Sequence, residues 1–496
     1  MENRALPENW ARCRVTELAQ LIRGVTYKKS EASKESQPGF APLLRANNIN
    51  GRINHEDLVY VREARISNEQ WLKESDVLIA MSSGSIGLVG KAAQLRKVKG
   101  ETFGSFCGAL RPTSEIDCHF FGWFFQTRTY RECVSGDAKG SNINNLKRDH
   151  ILHVDFPLPP ANEQRRIVEK IETLFSRLDK GEEALRDVQK LLSRYRQSVL
   201  KAAVTGQLTA DWRAENAHRL EHGRDLLARI LQTRRESWEG RGKYKEPIAP
   251  STSGLPDLPD GWVWASLAQL THIKGGVTVD KKRESKNPVT VPYLRVANVQ
   301  NGHIDLTEIK EITVNRDKAE QTLLKAGDIL LNEGGDRDKL GRGWVWDGQI
   351  APCIHQNHVF RARPVIPEIS SRFVSYYANA FGQGFFMQKG KQSVNLASIS
   401  LTAISGFPIA LPSADEQREI VGRLEEKLIE VATVAEWCKT ELTRSAALRQ
   451  SILKDAFTGR LVPQNPSDEP AAELLARIRA ARQAAPKGKT RRKATA

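Results

Sequence analysis

Between residues 162 and 203 the apolar positions fall at Ile167, Ile171, Leu174, Leu178, Leu185, Val188, Leu192, Tyr195 and Val199. The steps are 4, 3, 4, 7, 3, 4, 3 and 4, a heptad seam with one seat missing, which Gly181 fills. Pro159 and Pro160 precede the stretch, Asn162 offers an N-cap, and Glu163 puts an acid in the first turn. Gly206 marks the stop. About 42 residues at about 1.5 Å each predict a rod of roughly 60 Å. A helix of that length needs a partner along its seam.

The chain supplies one. Ser413-Ala414-Asp415-Glu416-Gln417-Arg418 repeats Pro160-Ala161-Asn162-Glu163-Gln164-Arg165. Gln450-Ser451-Ile452-Leu453-Lys454 through Gly459 repeats Gln197-Ser198-Val199-Leu200-Lys201 through Gly206. Both pairs are 253 residues apart, so the rods have equal length. In the second rod Ile420, Leu424, Val431, Val434, Leu448 and Ile452 keep the register, while Lys427, Cys438, Glu441 and Ser445 weaken it.

The stretches before each rod read as mixed α/β domains. In the first, Val15 to Ile22 predicts a short helix closed by Gly24. Pro42 to Ile49 predicts a strand turned at Asn50-Gly51 and followed by a partner over 57–61. Val77 to Met81 is an apolar strand leading into a Ser/Gly loop. Phe120 to Tyr130 is an aromatic helix expected in the core, and Val154 to Leu158 is the last strand. The second domain repeats these landmarks. Leu258-Pro259-Asp260-Gly261-Trp262 matches Leu6-Pro7-Glu8-Asn9-Trp10, Leu294 to Val299 matches Leu44 to Ile49, and Leu324 to Leu330 matches Leu72 to Leu78. The loops between landmarks differ, as expected of one scaffold carrying two binding surfaces. The boundaries read as domain 1–160, rod 161–206, short helix and linker 207–257, domain 258–411, rod 412–459, and short helix with basic tail 460–496.

Composition narrows the partners. The chain has 75 basic and 59 acidic residues, net +16, which favours a polyanion and nucleic acid first. No apolar run reaches membrane-spanning length, and Met1-Glu2-Asn3-Arg4 carries no signal-peptide core. The six scattered cysteines suit free thiols, so a cytoplasmic location is expected.

No motif for chemistry survives inspection. Ser85 to Lys91 resembles a phosphate loop but has Ser85 where glycine is needed and Ala92 where Ser or Thr is needed. Cys353, His355 and His358 fit no standard zinc spacing, so no metal is expected. Asn287-Pro288 and Asn465-Pro466 lack the aromatic that would stack a flipped base, and no G-x-S-x-G elbow or dinucleotide fingerprint appears.

Alternating domains and rods with these paired Glu-Gln starts and Gln-Ser-(Val/Ile)-Leu-Lys ends make the chain resemble the specificity subunit of type I restriction-modification systems. The resemblance covers nearly the whole chain. It implies an α+β fold of two pseudo-repeated target-recognition domains separated by two long helices that pair as an antiparallel coiled coil. It also implies a bipartite duplex DNA site, one part per domain, and no catalysis by this chain. Two methyltransferase subunits would dock on the rods and bring the restriction-translocase subunits; S-adenosylmethionine, ATP and Mg²⁺ would be bound by those partners. The competing expectation is a DNA methyltransferase or nuclease with an unrecognised site. Groove chemistry selects the candidate DNA contacts, since Arg and Lys suit guanine, Asn and Gln suit adenine, and Ser suits either. They are Arg45, Asn47, Asn48, Ser82, Ser83, Ser85, Lys139, Ser141, Asn142 and Asn144 in the first domain. In the second they are Lys281, Lys282, Arg283, Arg295, Asn298, Arg337, Lys339, Lys391, Gln392 and Asn395. Most are expected to hold phosphates, and the matched pair Arg45 and Arg295 to share a phosphate-holding or structural role rather than to read bases.

Overall fold

In the computed structural model the two seams fold as single helices, Ala161–Val204 and Ala414–Ala456. The structure describes residues 6–83, 87–137, 144–240, 242–279, 287–335, 340–389, 391–392 and 397–484. It divides into two compact units, one of Met1–Arg186 with Lys439–Ala496, the other of Asp187–Cys438. Each unit therefore contains one domain, the N-terminal part of the helix that follows it, and the C-terminal part of the other helix.

In the first unit a four-stranded antiparallel sheet has the order Ala19–Arg23, Cys107–Pro112, Val77–Ala80, Ala92–Gln94. Leu110 faces Leu21 and Val77 in this ladder, and all three are buried. A second sheet runs Ala32–Ser33, Val59–Arg62, Phe40–Leu44, Thr102–Phe103, its last pair parallel. The predicted helix over 15–22 is cut to Val15–Leu18, because Ala19 to Arg23 alternate sides and complete the first sheet instead. The aromatic stretch forms two helices, Cys118–Phe124 and Arg128–Asp137, and Phe120, Phe121, Phe124, Phe125 and Tyr130 are core, as expected.

The second unit repeats this plan. Its first sheet is Thr271–Lys274, Val359–Pro364, Asp328–Asn332, Gly343–Trp346, all antiparallel. Its second is Lys310–Asn315, Pro288–Leu294, Ile354–His355, again ending on a parallel pair. One internal ion pair is duplicated as well. Arg111 forks onto buried Asp76 at 2.8 and 2.7 Å, and Arg363 onto buried Asp328 at 2.6 and 2.7 Å.

The helix ends explain the repeated motifs. The first helix begins at Ala161, so Asn162 lies inside its first turn and is not the N-cap. Gln164 Oε1 accepts from Asp117 N at 2.9 Å and Gln417 Oε1 from Ser370 N at 2.9 Å, tying each helix start to its own domain. The stops are Gly206 and Gly459, both at φ +72°. A Cβ on Gly206 would lie 2.9 Å from the Trp262 ring, and one on Gly459 would lie 2.3 Å from Pro7. Each helix thus ends against the opening Leu-Pro-x-x-Trp of the domain in whose unit it ends. The short helices close the same joint, with Gly223 N donating to Gly261 O at 2.7 Å and Ala471 N to Asn9 O at 3.0 Å.

Helix pairing is antiparallel within each unit. In the first, Arg449 bonds Asp179 at 2.7 Å and Glu182 at 3.1 Å and lies over the Phe175 ring, while Ser445 Oγ donates to Glu182 at 2.8 Å. In the second, Val199 and Ala203 share a core with Ile420 and Leu424. Several predicted seam positions behave otherwise. Gly181 is exposed with open space where its Cβ would be, and Glu182 makes the cross-helix contact. Ile167, Ile171, Val199, Ile420, Leu424, Val431 and Ile452 are buried, whereas Leu174, Leu178, Leu185, Val188 and Leu192 are half-buried. Tyr195, Val434 and Leu448 are exposed, while Cys438, a weak seat by sequence, is fully buried. Phe175 and Leu453, off the predicted stripe, are buried because they pack onto the domain as well as the partner helix. Among the described residues no helix is long and apolar enough to cross a membrane.

Candidate nucleic-acid interface

The loops that differ between the domains begin from equivalent strands. After Val77–Ala80 the chain forms a short strand Ser82–Ser83 that pairs antiparallel with Asn144–Asn145. After Asp328–Asn332 it forms Gly334–Gly335, paired with Ala397–Ser398, which pairs in turn with Lys391–Gln392. Each domain therefore brings two sequence-distant loop segments into one small ribbon. Ser82, Ser83 and Asn144 meet in the first, and Lys391 and Gln392 join the second. The side chains of Asn144, Lys391 and Gln392 lie outside the described set, as do Ser85, Lys139, Ser141, Asn142, Lys281, Lys282, Arg283, Arg337, Lys339 and Asn395.

Asn48 and Asn298 are corrections. They are 1% and 3% exposed and have no free face for a base. Asn48 Oδ1 accepts from Arg45 N at 2.8 Å and its Nδ2 donates to Glu56 O at 2.9 Å. Asn298 Oδ1 accepts from Arg295 N at 3.0 Å and its Nδ2 donates to Asp305 O at 2.9 Å and Glu308 O at 3.0 Å. At both places the asparagine amide supplies a donor and an acceptor to main-chain groups of the turn. Arg45 and Arg295 support the same turn. Arg45 Nη2 donates to Asp57 O at 2.6 Å and Oδ2 at 2.9 Å, and Arg295 Nη2 donates to Glu308 O at 3.1 Å. Asn47, between Arg45 and Asn48, is exposed.

The histidines of the second domain separate in role. His355 is buried, its Nδ1 lies 2.7 Å from Val359 O, and burial holds it at about 4, so it stays neutral. His358 is exposed, with Nδ1 2.9 Å from Glu333 Oε2. Cys353 is buried and bonds Ile354 O through its thiol. His272 is also depressed to about 4, by burial first and then by Arg234, Lys274, Arg361 and Arg363. Among the described residues no three His, Cys, Asp or Glu are grouped to hold a metal ion.

Two features escaped the sequence pattern. The apex of the turn between Thr102–Phe103 and Cys107–Pro112 presents Phe106, 65% exposed. Along the long helices Leu191, Tyr195, Ile429 and Trp437 are exposed apolar side chains in the second unit. Both depend on which residues the fold leaves uncovered, which periodicity does not report.

The family described as type I restriction modification DNA specificity domain matches residues 7–186 and again residues 259–431. The chain belongs to this family. The double match coincides with the duplicated sheets and helix starts. A relative among the specificity subunits is that of the type I restriction enzyme StySPI of Salmonella potsdam, 33% identical over 99% of this chain and all of the relative. The fold is similar to the crystal structure of the HsdS subunit from Thermoanaerobacter tengcongensis, with TM-score 0.52 and 18% identity over 93% of this chain and 99% of that one. It is also similar to a chain from a structure describing complex assembly and conformational transition of the type I restriction-modification system. There the TM-score is 0.62, with 18% identity over 92% of this chain and all of that one. Within the specificity-subunit family, the shared framework is what the repeat preserves, and the paired loop ribbons are what differs between the two domains.

Proposed function

We propose that this chain is the non-catalytic DNA-recognition subunit of a type I restriction-modification complex, acting in the cytoplasm, with each domain reading one half of a bipartite duplex site. The observation that carries this is the duplication itself. Two frameworks of the same plan, down to the Arg–Asp pair and the Asn turn, carry unlike ribbons after equivalent strands. Binding residues are disproportionately carried on loops that a rigid scaffold positions, and the ribbons are where the two domains differ.

The long helices have two roles in this reading. They set the spacing of the half-sites, because a helix rises a fixed amount per residue while DNA turns once per about 34 Å. They also dock two methyltransferase subunits. Trp437, 57% exposed, gives one such partner an aromatic anchor, and Ile429, Leu191 and Tyr195 are further exposed apolar side chains on the same two helices. The methyltransferase subunits bring the restriction-translocase subunits. S-adenosylmethionine, ATP and Mg²⁺ are held by those partners, which supply the chemistry.

A labelled-duplex titration with and without methyltransferase subunits tests the proposal. Binding is expected to favour one sequence and to tighten when the subunits are added. Equal affinity for all sequences with partners present rejects it. Methyl transfer or cleavage by the purified chain alone overturns the non-catalytic assignment.

A further inference from the structure

Phe106 sits at the apex of a turn that the first domain fixes from three sides. Cys107 N closes the turn on Gly104 O at 2.8 Å. Gly104 N donates to Leu44 O at 3.0 Å, Val25 N to Phe103 O at 2.7 Å, and Ser105 N to Val25 O at 3.0 Å. The carbonyl of Phe106 itself accepts from Met81 N at 2.8 Å and Ser82 N at 3.1 Å, where the variable ribbon begins. Gly24 permits this approach, since a Cβ there would lie 2.1 Å from Gly104 O.

The second domain builds the same apex 252 residues later, with His358 in place of Phe106. Val359 N bonds Gln356 O at 2.9 Å, Gln356 N bonds Leu294 O at 2.9 Å, and Asn357 N bonds Val277 O at 2.8 Å. Glu333 N bonds His358 O at 2.9 Å, and a Cβ on Gly276 would lie 1.9 Å from His355 O. The main chain is held by equivalent bonds, except that Phe106 O accepts from two donors and His358 O from Glu333 N, yet the exposed side chain changes from an apolar ring to an imidazole paired with Glu333.

A rigid backbone that holds a large exposed side chain beside a variable surface is built for contact. Leaving a phenylalanine in water forgoes about 1.5–3 kcal/mol of burial. The ring has only two torsions, so its ordering costs little when a partner arrives. On nucleic acid, phenylalanine can touch only apolar features, the thymine methyl or the face of a base. Histidine with a carboxylate offers hydrogen bonds instead.

We propose that the residue at this clamped apex, Phe106 in one domain and His358 in the other, is a specificity-determining base contact, apolar in one half-site and hydrogen-bonding in the other. This rests on the DNA-reading role above. The test uses the full chain assembled with methyltransferase subunits and a panel of duplexes with each base pair of both half-sites substituted. Phe106→Ala is expected to weaken cognate binding by about tenfold, to flatten preference at one position of one half-site, and to leave the other half-site and random-sequence binding unchanged. His358→Ala is expected to flatten the opposite half-site. Phe106→Tyr, which keeps the ring, is expected to retain most of the preference. An unchanged panel for Phe106→Ala, or equal losses on cognate and random duplexes, overturns the inference. A wild-type complex with no sequence preference overturns the reading beneath it, a separate outcome. An unchanged melting temperature for Phe106→Ala verifies that the fold is not what was lost.

Discussion

The Trp262 indole donates to Glu416 Oε2 at 2.9 Å, joining the first residues of a domain to the first turn of the helix that leaves it. Glu416 Oε1 also accepts from Thr209 Oγ1 at 2.8 Å and from Arg213 at 2.6 Å. The other unit repeats the joint, with Trp10 donating to Glu163 at 3.0 Å and Gln464 at 2.6 Å. Glu416→Ala strands a cation and two donors, so denaturant unfolding is expected to show a loss of about 3–5 kcal/mol. Glu163→Ala strands only neutral donors, and about 1–3 kcal/mol is expected. Equal losses would contradict the different partners.

Arg449 makes the first unit acid-sensitive. Burial raises the carboxyls of Asp179 and Glu182, but hydrogen bonds from Arg449 and Arg52 at Asp179, and from Ser445, Arg449 and Arg186 at Glu182, together outweigh it and hold both below the ordinary range. A carboxylate lowered by folding contributes stability at neutral pH that is lost as pH falls through its folded value. Arg449→Met should therefore be less stable than wild type at pH 7, with the gap closing as pH falls below the ordinary carboxylate range. Glu163 runs the opposite way, raised by burial against bonds from Gln464 and Trp10, and its slope cancels in the difference. A gap that does not narrow on acidification, measured by urea unfolding, would count against this assignment.

Asn48 and Asn298 brace turns and are buried, so substitution to Ala should lower stability without redirecting recognition. About 1–3 kcal/mol is expected for each, from leaving backbone donors and acceptors unpaired. Any folded fraction should keep the wild-type sequence preference on the same duplex panel. A changed base preference at one position would show that these amides reach the DNA.

Spacing should follow helix length. Inserting one heptad into both long helices adds about 10 Å. The preferred gap between half-sites should grow by about three base pairs at 3.4 Å each, with the half-sites themselves unchanged. Random-library selection reads both quantities at once, and an unaltered gap would remove the spacer role.

Trp437→Asp and Ile429→Asp change side chains that face water in the chain itself. Their melting temperatures should stay close to wild type, while methyltransferase binding weakens by about tenfold or more, as for an interface anchor. Calorimetric titration with the methyltransferase subunit decides it; full affinity would place the docking surface elsewhere.

Much of the fold was legible because it rests on periodicity and repetition. Matched starts at Glu163 and Glu416 and matched stops at Gly206 and Gly459 located both long helices to within two or three residues. The seam was less legible in detail. A heptad assigns seats from one helix alone, but Val434 and Leu448 are exposed and Cys438 is buried because burial depends on what lies opposite. The site divided along the same line. Residue type marked Asn48 and Asn298 as adenine readers, although the same amide chemistry serves a turn equally well.

The duplication, the helix lengths and ends, the basic excess and the family follow from residue order alone, since each is written in local spacing or in segments that match. It took the folded chain to show that Ser82–Ser83 meets Asn144–Asn145, that Gly334–Gly335 meets Ala397–Ser398, and that Phe106 and His358 each stand at the equivalent clamped apex of their own domain. Those juxtapositions join residues tens of positions apart through backbone hydrogen bonds. Every residue type except proline carries those donors and acceptors alike, so the bonds leave little mark in the order of side chains.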